Sequence, residues 1–387
     1  MTDDFIPYSC QDINESDINS VIKVLKSPFI TQGPLVKDFE DAIAKKVNSK
    51  YAVATNSATS SLHLACLALG LKEGDIIWTS PITFVASANC GLYCGAKVDF
   101  VDIEPNTGLI SISELENKLQ IANKINKLPK ILIPVHLCGT SCNMKEIFNL
   151  SQKYGFQIIE DASHAIGGKY FSEYIGNCKY SDITVFSFHP VKIITTGEGG
   201  IATTNNIKLS QKMEDLRSHG ITKDQTRFLY KAQGQWSYEQ QDLGFNYRLT
   251  DINAALGLSQ LQRLDEFIEK RNSIRDFYIK EIESFPLKVL LVPQNIISTC
   301  HLFVITLDNK EKEYHSNIFS KLRESNIGVQ LHYSAVHLQP YYRNLGFKEG
   351  DFPNAEIYSR NAISLPIYTK LSDEQQKIVV KTLKRIL

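Results

Sequence analysis

Residues 187–200 read SFHPVKIITTGEGG, and they begin at the end of an apolar run, Ile183–Phe188, that predicts a buried strand. A turn then presents Lys192 with apolar neighbours on both sides, and a glycine-rich segment follows. Glycines allow the backbone to pass close to a bound ring. Desolvation lowers the pKa of a lysine and leaves a nucleophilic amine. The stretch therefore predicts a reactive lysine at the edge of a sheet.

Short apolar strands alternate with helical stretches on either side of this turn. The predicted strands are Tyr51–Ala54, Asp75–Thr79, Lys97–Asp102, Ile131–His136, Phe156–Glu160, Ile183–Phe188 and Gly200–Thr204. The predicted helices between them are Ser60–Leu69, Val85–Cys94, Ser113–Leu119 and Lys145–Tyr154. Such alternation predicts an α/β fold with a mostly parallel central sheet and helices on both faces.

The pattern changes after residue 250. Apolar residues at three- and four-residue spacings predict one long helix over Thr250–Ile282. Beyond it the sequence predicts strands at Val304–Leu307 and Gly328–Leu331 and helices at Asn317–Ser325, Ala355–Ala362 and Asp373–Ile386. We interpret residues 12–250 as a large domain and residues 251–387 as the linking helix and a smaller α/β domain. Residues 1–11 are expected to associate with the small domain.

Residues 158–165, IIEDASHA, take a buried strand directly into two carboxylates and a histidine. Burying a carboxylate without a partner is costly, so Asp161 is expected to face a cation or hydrogen-bond donors. A pyridinium N–H is one candidate. At about 4 Å and an effective dielectric of about 20, a carboxylate and a pyridinium attract each other by about 4 kcal/mol, which raises the pKa of the ring nitrogen by about three units. The alternative is an aspartate that caps a helix. Lys192 follows Asp161 by 31 residues, which predicts both groups at one sheet edge.

Three weaker signals follow other strand ends. Residues 56–60, NSATS, open an apolar helix, and its free N–H groups and dipole favour an anion, although taken alone the pattern is more often an ordinary helix N-cap. Phe84 is either a ring that stacks on a flat ligand or a core phenylalanine. Residues 244–249, GFNYRL, lead into the long helix and carry little information alone.

Taken together, EDASHA at 160–165, SFHPVKIITTGEGG at 187–200 and GFNYRL at 244–249 closely resemble the DegT/StrS family. Its members are fold-type I enzymes that use pyridoxal 5'-phosphate (PLP) to aminate nucleotide-linked keto-sugars. The resemblance covers nearly the whole chain, from TQGP at 31–34 onward. It implies a fold-type I aminotransferase with PLP as its cofactor.

The resemblance also implies roles for individual residues. Lys192 matches the lysine that binds PLP as a Schiff base and then moves protons, and Asp161 matches the partner of the pyridinium nitrogen. The remaining cofactor-binding positions match Ala58, Thr59, Phe84, His164, Ser187 and Asn246. Asn246 is similar to a residue that reaches the cofactor of the other subunit, which implies a homodimer with shared active sites. The implied substrate-binding positions are Tyr8, Thr31, Gln32, Arg248, His332 and Tyr333.

Within the family, the finer resemblance is to the transaminases of pseudaminic acid biosynthesis. The segments that carry this likeness include RSHG at 217–220, HY at 332–333 and VHLQPYY at 336–342. It implies a UDP-linked 4-keto-6-deoxy N-acetyl sugar as acceptor and L-glutamate as amino donor. Amination of a different nucleotide-linked 4-keto sugar and a non-catalytic regulator remain alternatives. Related sugar dehydratases replace the Schiff-base lysine with histidine, and Lys192 argues against that reading.

Composition excludes several other classes of function. The 387 residues have a formal net charge of zero, which is unlike a nucleic-acid or membrane-surface binder. The amino terminus has no signal-peptide pattern, and no apolar run reaches the ~20 residues of a membrane-spanning helix. Cysteine pairs four residues apart do not match zinc spacings. We therefore expect a cytoplasmic enzyme with reduced thiols, no metal, and neither nucleic acid nor membrane as partner.

Overall fold

The computed structural model of the protein describes residues 5–308 and 312–387. Its helices are α1 Glu15–Leu25, α2 Pro34–Val47, α3 Ala58–Ala68, α4 Ala86–Tyr93, α5 Ile112–Lys124, α6 Met144–Tyr154, α7 Ile207–Arg217, α8 Asp251–Leu261, α9 Leu264–Ile282, α10 Lys312–Glu324, α11 Pro340–Asn344, α12 Pro353–Asn361 and α13 Asp373–Ile386. Its strands are β1 Tyr51–Thr55, β2 Ile76–Thr79, β3 Lys97–Phe100, β4 Ile131–Ile133, β5 Gln157–Asp161, β6 Lys169–Tyr170, β7 Glu173–Tyr174, β8 Ile183–Ser187, β9 Gly200–Thr204, β10 Ile221–Thr222, β11 Glu239–Gln240, β12 Leu287–Val289, β13 Ile296–Ile297, β14 Phe303–Leu307 and β15 Ala362–Leu365.

The seven strands predicted before residue 205 form one sheet in the order β1-β9-β8-β5-β4-β2-β3. β9 runs antiparallel to both of its neighbours, and the other pairs are parallel. β4 is shorter than predicted because Pro134 follows Ile133 and has no N–H for the ladder. The predicted mostly parallel sheet is confirmed.

Helices cover both faces of this sheet. Strand side chains alternate between two apolar clusters: Val53 and Val185 belong to one, whereas Ala54 and Phe186 belong to the other. The first cluster packs α3, α4, α5 and α6 against the sheet, and the second packs α2, α8 and α9. The carboxyl ends of β5 and β8 therefore open at one edge between two helical layers.

The long helix predicted over Thr250–Ile282 is wrong as a single element, because the structure divides it into α8 and α9. The break lies at Gln262 and Arg263, where the guanidinium group turns away to bind two carboxylates. Arg263 is 2.7 Å from Asp17 Oδ2 and 3.1 Å from Asp12 Oδ1. These ion pairs fasten the amino-terminal segment at the point where the two helices meet.

Beyond α9, β12, β14 and β15 form an antiparallel sheet packed against α9, α10 and α13. The predicted strand Gly328–Leu331 is wrong: the segment makes only single bridges, from Ile327 to Ile6 and from Gln330 to Ser364. It lies between the amino-terminal segment and β15 and pairs with each at one residue. The predicted last residue of helix 355–362 instead begins β15.

The division into residues 12–250 and 251–387 remains our proposal. It is supported by a third apolar cluster, which gathers side chains of α9, β14, α10, β15 and α13. Ile6 is buried in that cluster and donates its N–H to Asn326 O at 2.9 Å. Within the described ranges, no helix combines the length and apolar character needed to cross a membrane.

Candidate active site

A cavity of about 630 Å³ lies at the sheet edge where β5 and β8 end. It joins most of the residues that the sequence predicts for the site. The predicted residues that line it are Tyr8, Ala58, Thr59, Phe84, Asp161, His164, Ser187, Lys192, His332 and Tyr333. They come from the amino-terminal segment, the large sheet and the loop before α11, so the cavity lies between the two proposed domains.

The other four predicted residues lie away from this cavity. Gln32 and Arg248 line a separate cavity of about 330 Å³ together with Arg217. Thr31 bridges to Thr250, and the exposed Asn246 bridges to Ser218. Thr31, Gln32, Asn246 and Arg248 therefore form a second group on the surface of the same chain, which we call the outer group.

The amino end of α3 forms one wall of the main cavity. Ser57 is the N-cap, and its Oγ accepts the N–H of Ser60 at 3.2 Å. The first N–H groups of a helix have no partner within the helix, so Ala58 and Thr59 present donors and the positive end of the dipole. Ser187, at the end of β8, lies on the same cavity. The helix-cap reading and the anion-site reading of residues 56–60 are thus compatible.

Gly200 allows β9 to lie directly beneath this helix end. A Cβ atom at residue 200 would lie 2.4 Å from the backbone N of Ala58 and 2.5 Å from the carbonyl carbon of Ser57. Such contacts are well inside van der Waals distance, and backbone atoms cannot move aside as a flexible side chain can. The glycine at residue 200 is therefore required by the close approach of two backbone segments.

Asp161 is the last residue of β5 and is 5% exposed. Its Oδ1 accepts the N–H of Ser163 at 3.1 Å and the hydroxyl of Ser163 at 2.6 Å. Its Oδ2 accepts the hydroxyl of Ser87 at 2.6 Å. The chain continues as turns rather than as a helix, so Asp161 is not a helix cap. Its carboxylate is held by donors at the cavity wall, as the sequence predicts.

The neighbouring Glu160 has a different role because successive residues of a strand face opposite sides. Its Oε2 is 2.7 Å from His136 Nε2, and its Oε1 accepts the hydroxyls of Ser181 at 2.5 Å and Thr184 at 2.9 Å. Burial opposes ionisation of Glu160, but these hydrogen bonds outweigh it and lower the pKa. Glu160 thus belongs to a buried network beneath the site.

Lys192 lies in the turn between β8 and β9, and its N–H donates to His189 O at 2.9 Å. Desolvation lowers the pKa of its amine to about 8, although the nearby negative charge of Asp161 opposes the decrease. An amine with this pKa can both accept and donate a proton near neutral pH. The structure therefore places a reactive amine within the electrostatic reach of Asp161.

Three aromatic side chains shape the remaining walls. Phe84 is 58% exposed, so the alternative of a core phenylalanine is wrong. Its ring centroid is 6.3 Å from that of Tyr333, whose hydroxyl is 3.0 Å from His164 Nε2. Tyr8 packs its ring 5.4 Å from that of His332. An exposed ring such as Phe84 on a cavity wall offers a stacking surface for a flat ligand.

Two histidines of the cavity are kept neutral. Burial, followed by the charge of Lys192, lowers the pKa of His164 well below its usual value and that of His332 to about 4. His332 Nδ1 is 2.9 Å from Ser364 Oγ. His164 Nδ1 is buried and has no hydrogen-bond partner among the described residues. That orphaned nitrogen is available to a ligand.

These features fit a flat aromatic ring that carries a phosphate and a basic nitrogen. The end of α3 with Ser187 suits the phosphate, Asp161 suits a protonated ring nitrogen, and Phe84 suits the face of the ring. Lys192 and the orphaned His164 Nδ1 suit polar substituents. The residues present thus fit the PLP that the sequence resemblance implies.

A family model described as the DegT/DnrJ/EryC1/StrS aminotransferase family matches residues 11–384. The chain belongs to this family. A UDP-4-amino-4,6-dideoxy-N-acetyl-beta-L-altrosamine transaminase of Campylobacter jejuni is 39% identical over 383 residues, which cover 99% of this chain and 97% of that protein. The spore coat polysaccharide biosynthesis protein SpsC of Bacillus subtilis is 37% identical over 387 residues, with 99% and 97% coverage.

Solved structures agree with this membership. Helicobacter pylori PseC, an aminotransferase involved in the biosynthesis of pseudoaminic acid, superimposes with a TM-score of 0.90 at 30% identity and 99% coverage of both chains. The putative sugar aminotransferase Spr1654 of Streptococcus pneumoniae, in its PMP-form, gives a TM-score of 0.89 at 30% identity and 98% coverage of both. The predicted fold-type I architecture of this DegT-family aminotransferase is confirmed.

Sequence reasoning gave no role to several cavity residues of the aminotransferase. Ser163 and Ser87 hold Asp161, and the sequence analysis predicts neither contact. Ser163 follows Asp161 by two residues, a spacing typical of a local side-chain turn, and could have been found. Ser87 is 74 residues from Asp161, and no sequence pattern connects them. His189 and Glu198 also line the cavity, and both are exposed.

Proposed function

We propose that the enzyme transfers an amino group from L-glutamate to C4 of a UDP-linked 4-keto-6-deoxy N-acetyl sugar in pseudaminic acid biosynthesis. The observation that carries the proposal is the convergence of Lys192, Asp161 and the start of α3 on one cavity. The full-length similarity to altrosamine transaminases of Campylobacter jejuni supports the substrate class.

PLP is the cofactor of this proposal, and residues of one chain provide most of its site. Ala58, Thr59 and Ser187 bind its phosphate, and Asp161 binds its ring nitrogen. Phe84 would stack on the ring, and the unpartnered Nδ1 of His164 would contact a ring substituent. Bound PLP supplies a carrier for the amino group and an electron-withdrawing ring.

Lys192 provides the acid–base chemistry. With a pKa near 8, its amine takes a proton from Cα of glutamate and, in the second half of the cycle, delivers one to C4 of the sugar. The neutral His164 and His332 do not compete for that proton, because their pKa values lie below the neutral range. Tyr8, His332 and Tyr333 form the wall that we assign to the sugar.

All eight cysteines are free thiols, which supports a cytoplasmic location.

A second copy of the chain is needed to complete the site. Of the described residues that line the main cavity, Lys192 is the one lysine or arginine, whereas a UDP-sugar carries a pyrophosphate. Arg248 and Arg217 line the outer cavity instead. We therefore propose a homodimer in which Asn246 of the outer group reaches the cofactor phosphate across the interface. Arg248, Gln32 and Thr31 contact the nucleotide sugar from the same side.

A mixed dimer tests this arrangement. Lys192→Ala and Arg248→Ala chains are each expected to be nearly inactive alone. After co-refolding in equal amounts, activity should recover to about a quarter of wild type, because half of the symmetric dimers are mixed and each then holds one intact site. Activity is measured by glutamate-dependent formation of the amino sugar. Failure of the mixture to exceed the better single variant would contradict a shared site, and a Lys192→Ala/Arg248→Ala double variant mixed with Lys192→Ala is the negative control.

The substrate is tested with a panel of UDP- and dTDP-linked 4-keto sugars and L-glutamate as donor. We expect kcat/KM for the UDP-linked 4-keto-6-deoxy N-acetyl sugar to exceed that of the dTDP-linked sugars by about 100-fold, since loss of hydrogen bonds in a polar pocket is discriminated strongly. Equal or better turnover of another sugar would reject the proposed acceptor. Replacing L-glutamate with L-alanine serves as the control for the donor.

A further inference from the structure

A short chain of buried hydroxyl groups ends on Asp161. Thr83 Oγ1 lies 2.7 Å from Ser87 Oγ, which lies 2.6 Å from Asp161 Oδ2. An ionised carboxylate can only accept, so Ser87 donates its proton to Asp161 and accepts one from Thr83. The other acceptor near Ser87 Oγ, the carbonyl of Phe84, is more distant at 3.4 Å. Thr83 and Ser87 are 2% and 0% exposed, so solvent does not replace these bonds.

The position of Ser87 connects two parts of the site. It lies in the first turn of α4, three residues after Phe84. Ser163 binds Oδ1 of Asp161 and Ser87 binds Oδ2, so both carboxylate oxygens are fixed. One short segment thus supplies the exposed ring on the cavity wall and a donor to the carboxylate.

We infer that Ser87 is a positioning residue that holds the carboxylate of Asp161 oriented toward the ring nitrogen of the cofactor. This inference rests on the proposed role of Asp161. Donors to a carboxylate stabilise its charged form. When a carboxylate shares a proton with a ring nitrogen, hydrogen-bond donors to the carboxylate therefore favour the arrangement in which the proton stays on the nitrogen. Ser87 acts through Asp161, because its single proton is already donated to that carboxylate.

The experiment compares Ser87→Ala with wild-type holoenzyme in three measurements. These are the PLP dissociation constant, kcat, and the pH at which the visible absorbance of bound PLP titrates. A ring whose nitrogen holds its proton less firmly withdraws electron density less strongly. We therefore expect the pH at which the visible absorbance of bound PLP titrates to rise by about half a unit or more. We also expect PLP affinity and kcat to fall by about 10-fold each, the size of one lost hydrogen bond to a charged group. The melting temperature of the apoenzyme should change little.

Two further variants keep the test decisive. Ser87→Cys is nearly isosteric but a weak donor, and it should shift the titration in the same direction even if Ser87→Ala folds poorly. Thr83→Val leaves the bond from Ser87 to Asp161 in place and should shift it less. If the Ser87 variants titrate and bind PLP as wild type does while Asp161→Asn changes both, the inference about Ser87 is wrong and the proposed function stands. If wild type itself binds no PLP, the proposed function fails first.

Discussion

Replacing Lys192 with alanine is expected to abolish transamination, with a loss of about 10,000-fold or more in kcat, because the residue serves both as nucleophile and as proton carrier. Its amine is suited to both tasks. At pH 8 about half of the Lys192 side chains carry no proton, whereas an ordinary lysine has well under about 1% in that form. The surrounding helices do not depend on the amine, so we expect the variant to remain folded and to bind PLP weakly.

Glutamate-dependent amination, PLP absorbance and borohydride trapping measure these effects. Wild-type protein should be yellow, should bleach with borohydride and should then carry the label on Lys192. Lys179→Ala is a matched control, since that lysine pairs with Glu173 on the surface at 2.7 Å and should leave every signal unchanged. Retained turnover in Lys192→Ala would overturn the assignment of the catalytic lysine. A wild-type protein that is never labelled would instead favour a non-catalytic member of the family.

The sequence predicts those parts of the fold and site that depend on neighbours along the chain. The seven strands of the large sheet are apolar runs bounded by turns, and the cap of α3 at Ser57 lies beside the helix it starts. Lys192 is recognisable because its apolar and glycine neighbours are adjacent to it. Each of these features depends on residues that are close in sequence, so the pattern of residue types predicts it directly.

Long-range contacts explain what the sequence does not predict. At the break between α8 and α9, Arg263 contacts Asp12 and Asp17, which are 251 and 246 residues away. Periodicity continues across the break, so the pattern alone indicates one helix. The bond from Ser87 in α4 to Asp161 in β5 likewise joins residues 74 positions apart in the chain. Such contacts arise from packing of distant segments and leave no periodic trace.

Replacing Asp161 with asparagine is expected to lower kcat by about 1,000-fold, because a carboxylate near a pyridinium nitrogen stabilises its proton by about three pKa units. Asparagine has nearly the same shape, and its one amide oxygen can still accept both bonds from Ser163, whereas the bond from Ser87 is lost. The variant therefore removes the charge while it preserves most of the local hydrogen bonds. Turnover should fall much more than thermal stability does, since the lost interaction is with the cofactor.

A variant of the neighbouring carboxylate, Glu160, distinguishes the pyridinium role of Asp161 from general damage to β5. Glu160 lies on the same strand but binds His136, Ser181 and Thr184 on the opposite face. Glu160→Gln should lower the melting temperature and leave the kcat of the folded fraction near that of wild type, which is the reverse of the effect expected for Asp161→Asn. The absorbance of bound PLP should titrate at higher pH in Asp161→Asn and be unchanged in Glu160→Gln. Near-normal turnover in Asp161→Asn would reject the pyridinium role, because the charge of this carboxylate is the property that the role requires.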